Sequence, residues 1–271
     1  MPELPEVETT RRGIEPLLVG QRIRALVVRN RRLRWPIPRK LGQQLPGQCI
    51  QAVTRRAKYL LLTLERGTLI IHLGMSGSLR VVAAVTAPDK FDHVDMLLEN
   101  GDCLRLRDPR RFGALLWTAR DPAQHKLLKH IGLEPFDPVC DGDYLYLAAR
   151  KRTVAIRDLL LNGRVVAGIG NIYANEALFA AGIRPNRAAG RVSRARCARL
   201  IAAVRATLTQ AIAGGGTTLR DFQQADGNPG YFRQKLTVYG RVGQPCPRCR
   251  RPIRAARLGQ RRAFYCPHCQ N

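Results

Sequence analysis

Four cysteines near the C-terminus constrain this chain more than any other feature. Cys246, Cys249, Cys266 and Cys269 are spaced C-x2-C-x16-C-x2-C. Two such knuckles, each a tight turn bearing two thiolates, close a tetrahedral site, and the spacing is that of one structural zinc ion. Between them the chain must double back, so Arg261-Arg262-Ala263-Phe264-Tyr265 is expected as one arm of a β-hairpin with basic tips. A hairpin of this size does not fold alone, and the metal would hold it. Two disulfides are the competing use of the four thiols. No secretory signal is read at the start, which weighs against them. His268 lies inside the second knuckle, where four cysteines already fill the coordination. Cys49, Cys103, Cys140 and Cys197 are scattered and read as small buried apolar side chains.

Charge gives the next constraint. The 46 basic residues exceed the 20 acidic ones by 26. Such an excess repels itself unless a polyanion is near, and nucleic acid is the usual one. An Arg-rich proteome could inflate the count evenly, but the distribution is uneven. Residues 244–271 hold seven arginines and no acid, whereas acids gather at the start, at 89–108 and at 134–143. No apolar run reaches membrane-spanning length, so a cytoplasmic protein without a membrane partner is expected.

The first eight residues, MPELPEVE, are acidic in this basic chain. Removal of Met1 would expose Pro2, a secondary amine able to attack a sugar carbon and form an iminium. Glu3 would place a carboxyl beside it for proton transfer. The plainer use of the segment is a helix start, with Pro5 in the first turn and Glu6 and Glu8 near the positive end of the dipole. Leu4, Val7, Ile14 and Leu17 fall on one helical face. That use leaves Pro2 unexplained.

Past Gly20, short strands are expected at 21–30, 48–54, 59–65, 68–73, 91–99, 102–107 and 113–118. Asn100-Gly101 is a hairpin turn signal. So many short strands with tight turns point to a sandwich or barrel. Two loops interrupt them, His72-Leu73-Gly74-Met75-Ser76-Gly77 and Asp108-Pro109-Arg110-Arg111-Phe112-Gly113. Apolar side chains beside arginines can wedge a base stack, although taken singly Met75 and Phe112 read as core. The Pro-rich acidic stretch 134–143 reads as a linker. Helices are then expected at 144–151, 154–161, 172–181 and 193–213. The turn 165–171 brings backbone amides and a helix N-terminus where a phosphate could sit. It lacks the βαβ setting of a dinucleotide loop. Residues 217–231 are polar and Gly-rich and read as a functional loop that could serve as a lid.

These motifs together resemble formamidopyrimidine-DNA glycosylases, a bacterial base-excision repair family. The likeness runs through MPELPEVE, RRAKYLLL, HLGMSGSLR, DPRRFG, GIGNIYANEALF, GGTTLRDF and CPRC…QRRAFYCPHC, in order along nearly the whole chain. The resemblance implies an α+β fold: an N-terminal β-sandwich with flanking helices (1–134), a linker (135–143), a helical domain with a helix–two-turn–helix unit (144–240) and a zinc-finger hairpin (241–271). It implies a bifunctional glycosylase and AP lyase for oxidised purines in double-stranded DNA, acting as a monomer on the nucleoid. Pro2 would be the nucleophile and Glu3 the proton carrier, followed by β- and δ-elimination, with Lys58 and Arg261 in the catalytic set. Lys58, Asn171 and Arg261 would hold phosphates, Met75, Arg110 and Phe112 would fill the vacated stack, and Glu6 would shape the site. His93, Lys151 and Arg220 complete the implied DNA contacts, although relatives can carry lysine at the position of Arg220. Two other readings stay open. One is the sister group endonuclease VIII, which prefers oxidised pyrimidines and usually has glycine where this chain has Leu4. The other is a non-catalytic zinc-finger DNA-binding protein.

Overall fold

The computed structural model describes residues 2–216 and 236–271. The described residues fall into two compact units, 2–129 with 214–216, and 130–213 with 236–271.

The first unit opens with α1 (Leu4–Leu18), whose buried face carries Leu4, Val7, Ile14 and Leu18. Pro5 sits in its first turn, where the missing N–H costs nothing. Eight strands follow: β1 (Ile23–Val28), β2 (Ile50–Arg56), β3 (Tyr59–Leu64), β4 (Gly67–His72), β5 (Ser78–Ala83), β6 (Asp92–Leu98), β7 (Asp102–Arg107) and β8 (Ala114–Thr118), with the short α2 (Leu41–Gln44) between β1 and β2. They build two antiparallel four-stranded sheets, ordered β1-β6-β7-β5 and β2-β3-β4-β8. One core joins α1 to both sheets through Val7, Ile14, Ile23, Val53, Leu62, Ile71, Met96 and Leu106. This is the sandwich the sequence predicts. The strand β5 is the addition: Leu79 and Val81 pair with Leu106 and Leu104. Its apolar residues follow directly on a Gly-rich loop, which hides the period.

The second unit contains α3 (Gly142–Ala149), α4 (Ile156–Leu161), α5 (Asn171–Ala180) and α6 (Arg194–Ala213), then the hairpin β9 (Arg254–Leu258) and β10 (Arg261–Tyr265). Helix α3 stops at Ala149, short of the expected Lys151, because Arg150 leaves the helical region at ψ 139 and Lys151 then adopts φ +59. The acidic stretch expected as a linker is bound tightly to the helices. Asp141 caps α3 through Tyr144 N at 2.8 Å, and Arg205 of α6 donates to the carbonyls of Pro135, Asp137 and Cys140 at 2.8, 2.8 and 3.2 Å. Among the described residues, no helix is long and apolar enough to cross a membrane.

Candidate nucleic-acid active site

In the first unit, Pro2 is buried immediately before α1, and Glu3 is 3 % exposed. Glu3 is the N-cap residue, and its backbone N–H donates to Glu6 Oε2 at 2.8 Å. Glu6 is itself fully buried beside Gly216, where a Cβ would come within 3.2 Å of its carboxylate. Gly216 has φ +78, so only glycine fits both the conformation and the space. The same helix reaches Lys58. Glu8 accepts from Arg11, Arg12 and Arg55, and Arg55 Nη1 also donates to the carbonyl of Ala57 at 2.9 Å. Burial pushes the Glu8 carboxyl up, but the hydrogen bonds of Arg11 and Arg12 outweigh it and hold it below the usual carboxylate range. Ala57 has φ +53 and turns the chain so that Lys58 sits at the tip between β2 and β3.

The two interrupting loops are pinned to each other. Asp108, fully buried, accepts from Ser76 Oγ at 2.9 Å and from Gly113 N at 2.8 Å, and Arg110 N donates to Ser76 Oγ at 3.1 Å. Gly74 has φ +65, and a Cβ there would lie 2.4 Å from the Phe112 backbone, so the loops approach only because it is glycine. His93 is buried (5 % exposed) and its Nε2 lies 2.9 Å from the Asp108 carbonyl, which only accepts, so that nitrogen carries the proton. Its place is beneath the loop. Met75 and Phe112 are 37 % and 42 % exposed, not core, and the Arg110 guanidinium lies 5.0 Å above the Phe112 ring.

His72 closes β4 opposite Tyr59, with ring centroids 4.8 Å apart, and its Nδ1 accepts from Gly74 N at 2.9 Å. Burial, then the charges of Lys58 and Arg34, push its pKa from the ordinary 6.5 to about 4. The folded state therefore binds fewer protons here than the unfolded state between these values, and stability falls as pH drops through that window. The loss amounts to roughly 3 kcal/mol by pH 4. Urea unfolding from pH 7 to pH 4.5 should show this slope in the wild type, and His72→Gln should flatten it.

In the second unit, Asn171 begins α5, and its Nδ2 donates to the carbonyl of Arg262 at 3.0 Å. Asn175, one turn on, accepts from Phe264 N at 2.8 Å. Arg261 is exposed at the start of β10. What seats it escaped the sequence reading. Arg157 of α4 is 1 % exposed and donates to the carbonyls of Leu258 at 2.9 Å and Arg261 at 3.3 Å, at the two ends of the hairpin turn. The same guanidinium lies 3.5 Å from Asn171 Oδ1 and pairs with Asp158. In the sequence Arg157 is one arginine among many, and nothing local marks it. Arg157→Met keeps the bulk and removes the donors. Leaving the two carbonyls unpaired should destabilise this unit by about 2–4 kcal/mol, measurable by urea unfolding. Lys151 is exposed after α3 and, among the described residues, makes no hydrogen bond or ion pair with Asn171 or Arg261. Arg220 and the loop expected at 217–231 lie outside the described residues.

The sulfurs of Cys246, Cys249, Cys266 and Cys269 all lie within 4.8 Å of one another. Four thiolates at the zinc–sulfur distance of about 2.3 Å would stand about 3.8 Å apart in a tetrahedron, so the donor set fits one zinc ion. Cys246 and Cys266 are buried in a small core with Phe179 of α5, Val238, Ile253 and Phe264, which seats the hairpin on the helices. Glu176 of α5 accepts from the backbone N–H groups of Thr237, Val238 and Tyr239 at 2.8, 3.0 and 2.8 Å, anchoring the approach to the metal site. Cys103, Cys140 and Cys197 are buried as expected, and Cys49 is half-buried.

Three family matches tile the chain: the formamidopyrimidine-DNA glycosylase N-terminal domain over residues 1–115, the formamidopyrimidine-DNA glycosylase H2TH domain over 131–223, and the zinc finger found in FPG and IleRS over 243–271. The formamidopyrimidine-DNA glycosylase of Alkalilimnicola ehrlichii is 56 % identical and that of Stutzerimonas stutzeri 58 %, each covering all of both chains. Among solved structures, the MutM (Fpg) protein of Thermus thermophilus is 38 % identical with a TM-score of 0.89, covering 99 % of this chain and 98 % of its own. A Lactococcus lactis FPG mutant in complex with a Fapy-dG containing DNA is 33 % identical with a TM-score of 0.92, covering 99 % of each chain. The chain belongs to the formamidopyrimidine-DNA glycosylase family.

Proposed function

We propose that Pro2 is the nucleophile with which this DNA glycosylase and AP lyase releases oxidised purines, and that Glu3 moves the protons. The carrying observation is the N-terminus: Pro2 and Glu3 are buried at the positive end of α1, with Glu3 N held by Glu6. Once Met1 is removed, that dipole disfavours an ammonium on Pro2 and favours the free amine, which is the nucleophilic form. Attack of the Pro2 nitrogen on C1′ expels the damaged base and leaves an iminium, with Glu3 placed to protonate the opening sugar ring. The iminium acidifies the C2′ proton, and β- then δ-elimination cleave the strand on either side of the sugar.

Lys58, Asn171 and Arg261 would hold phosphates around the extruded nucleotide, contacts that position without reading sequence. Met75, Arg110 and Phe112, exposed on two pinned loops, would fill the vacated stack, with Arg110 facing the orphaned base. His93 would act through the Asp108 loop, and Lys151 by charge alone. The zinc ion would lock the hairpin that carries Arg261; it supplies no step of the reaction. A solved relative, the Lactococcus lactis Fpg, is complexed with an abasic site containing DNA, which supports the lyase half of the reaction. One copy of the chain carries all these residues, so a monomer on nucleoid DNA suffices.

Intact mass before and after incubation with 8-oxoguanine:C duplex and borohydride tests this. A mature mass lacking Met1, with an adduct mapped to Pro2, is expected. A mature Pro2 terminus with base release and an adduct elsewhere would overturn the assignment. Faster excision of thymine glycol than of 8-oxoguanine would move the chain to the pyrimidine-preferring branch.

A further inference from the structure

We propose that the cavity beside Phe112 is a subsite for a phosphodiester of the undamaged DNA strand, with Arg32 and Arg34 as its specific contacts. This rests on the placement of Arg110 and Phe112 at the orphaned base.

The cavity is about 490 Å³ and is lined by Arg32, Leu33, Arg34, Arg110, Arg111 and Phe112. That volume has room for a sugar–phosphate unit, and no acid lines it. Four guanidiniums there have no ion-pair partner among the described residues. Elsewhere in the same β layer arginines are matched with aspartates. Arg29 and Arg105 pair with Asp95, Arg80 with Asp92, and Arg107 with Asp89. The guanidiniums around the cavity repel one another until an anion enters, and the planar fork suits phosphate oxygens.

Both walls are fixed in advance. On one side Leu33 and Ile37 are buried in the core at 6 % and 2 %, and the chain turns through Leu33 N and Ile37 N to Arg31 O, both at 3.0 Å. Arg32 N donates to Asn30 Oδ1 at 2.9 Å. Anchoring Leu33 leaves Arg32 and Arg34 exposed on either side of it. On the other side the Asp108–Ser76 pair holds the loop of Arg110 and Arg111. Preformed walls cut the ordering cost of binding. The strand follows from the lining: Arg110 and Phe112 face the orphaned base, so the backbone beside them belongs to the strand that carries it.

Methylphosphonate substitution, which neutralises one linkage at a time, tests the subsite on an 8-oxoguanine:C duplex. One linkage of the undamaged strand near the orphaned cytosine should weaken wild-type binding about ten-fold, as loss of a charge-assisted contact does. The same substitution should weaken the Arg32→Gln/Arg34→Gln double variant less than about two-fold, since its partner is already gone. The slope of log K against log salt should fall by about one in that variant, the share of the one phosphate the subsite holds. Arg34→Lys should keep its share of the slope while losing affinity, because ammonium keeps the charge without the fork. Equal sensitivity of wild type and double variant to every undamaged-strand linkage would overturn the subsite. So would relief confined to damaged-strand linkages, which would assign the cavity to the other strand. Failure of the wild type to release 8-oxoguanine is a separate result. It would overturn the proposed function and is scored on unmodified duplex before any interference is measured.

Discussion

A chain whose N-terminus is blocked, by retained Met1 or by acetylation of Pro2, should release no base and form no borohydride adduct while still binding DNA. Blocking turns the ring nitrogen of Pro2 into an amide, which has no lone pair to offer C1′, but it leaves every arginine in place. Binding and chemistry therefore separate. Glu3→Gln should separate them by degree. It keeps the backbone N–H that Glu6 accepts and preserves the size of the buried side chain, but it removes a proton carrier. Single-turnover base release should slow by roughly 10²–10⁴-fold, the usual contribution of a positioned acid or base. An adduct formed by the blocked chain would place the nucleophile elsewhere, and Lys58 would be the first amine to map.

How much of this was legible in the sequence differs by residue. The metal site was legible outright, because four thiols at fixed spacing permit one tetrahedral arrangement, and the sulfurs do converge. The helix at the N-terminus and most strands could be read from periodicity. Met75 and Phe112 could not be read from hydrophobicity, which assigns them to the core. Their exposure follows from Gly74 and from the Ser76–Asp108 pair, residues about thirty positions apart that only the fold brings together. Arg157, Glu176 and His93 were illegible as organisers for the same reason. Each acts on backbone carbonyls or amides of a distant segment, and backbone groups carry no signature in sequence. The end of α3 before Lys151 was likewise set by local backbone geometry, Arg150 at ψ 139 followed by a left-handed Lys151, which these two residue types give no reason to expect.

Replacing Cys249 with serine should release zinc, unfold the C-terminal hairpin and weaken DNA binding about a hundred-fold or more, while the β-sandwich stays folded. The first step follows from ligand count, since a structural site with three thiolates loses its closed tetrahedron, and metal binding is here folding free energy. The second follows from the size of the small core around the metal: Phe179, Val238, Ile253 and Phe264 pack with two of the cysteines, too little apolar surface to hold the hairpin without the ion. The third follows from charge. The hairpin carries Arg261 as well as Arg254, Arg257 and Arg262, and the loss of two charge-assisted phosphate contacts gives about that factor. A chelator should reproduce the effect in the wild type, and added zinc should reverse it only there. Bound zinc per chain, limited proteolysis within residues 243–271 and the dissociation constant for a lesion duplex would be followed on the same samples. Loss of zinc and of the hairpin's protection from protease with unchanged binding would show that Arg261 and its neighbours do not touch DNA. Loss of binding with the hairpin still protected from protease would mean that Asn171, Asn175 and Arg157 seat the strands without the metal, and that the zinc site sets the local geometry of the arginines rather than the fold of the hairpin.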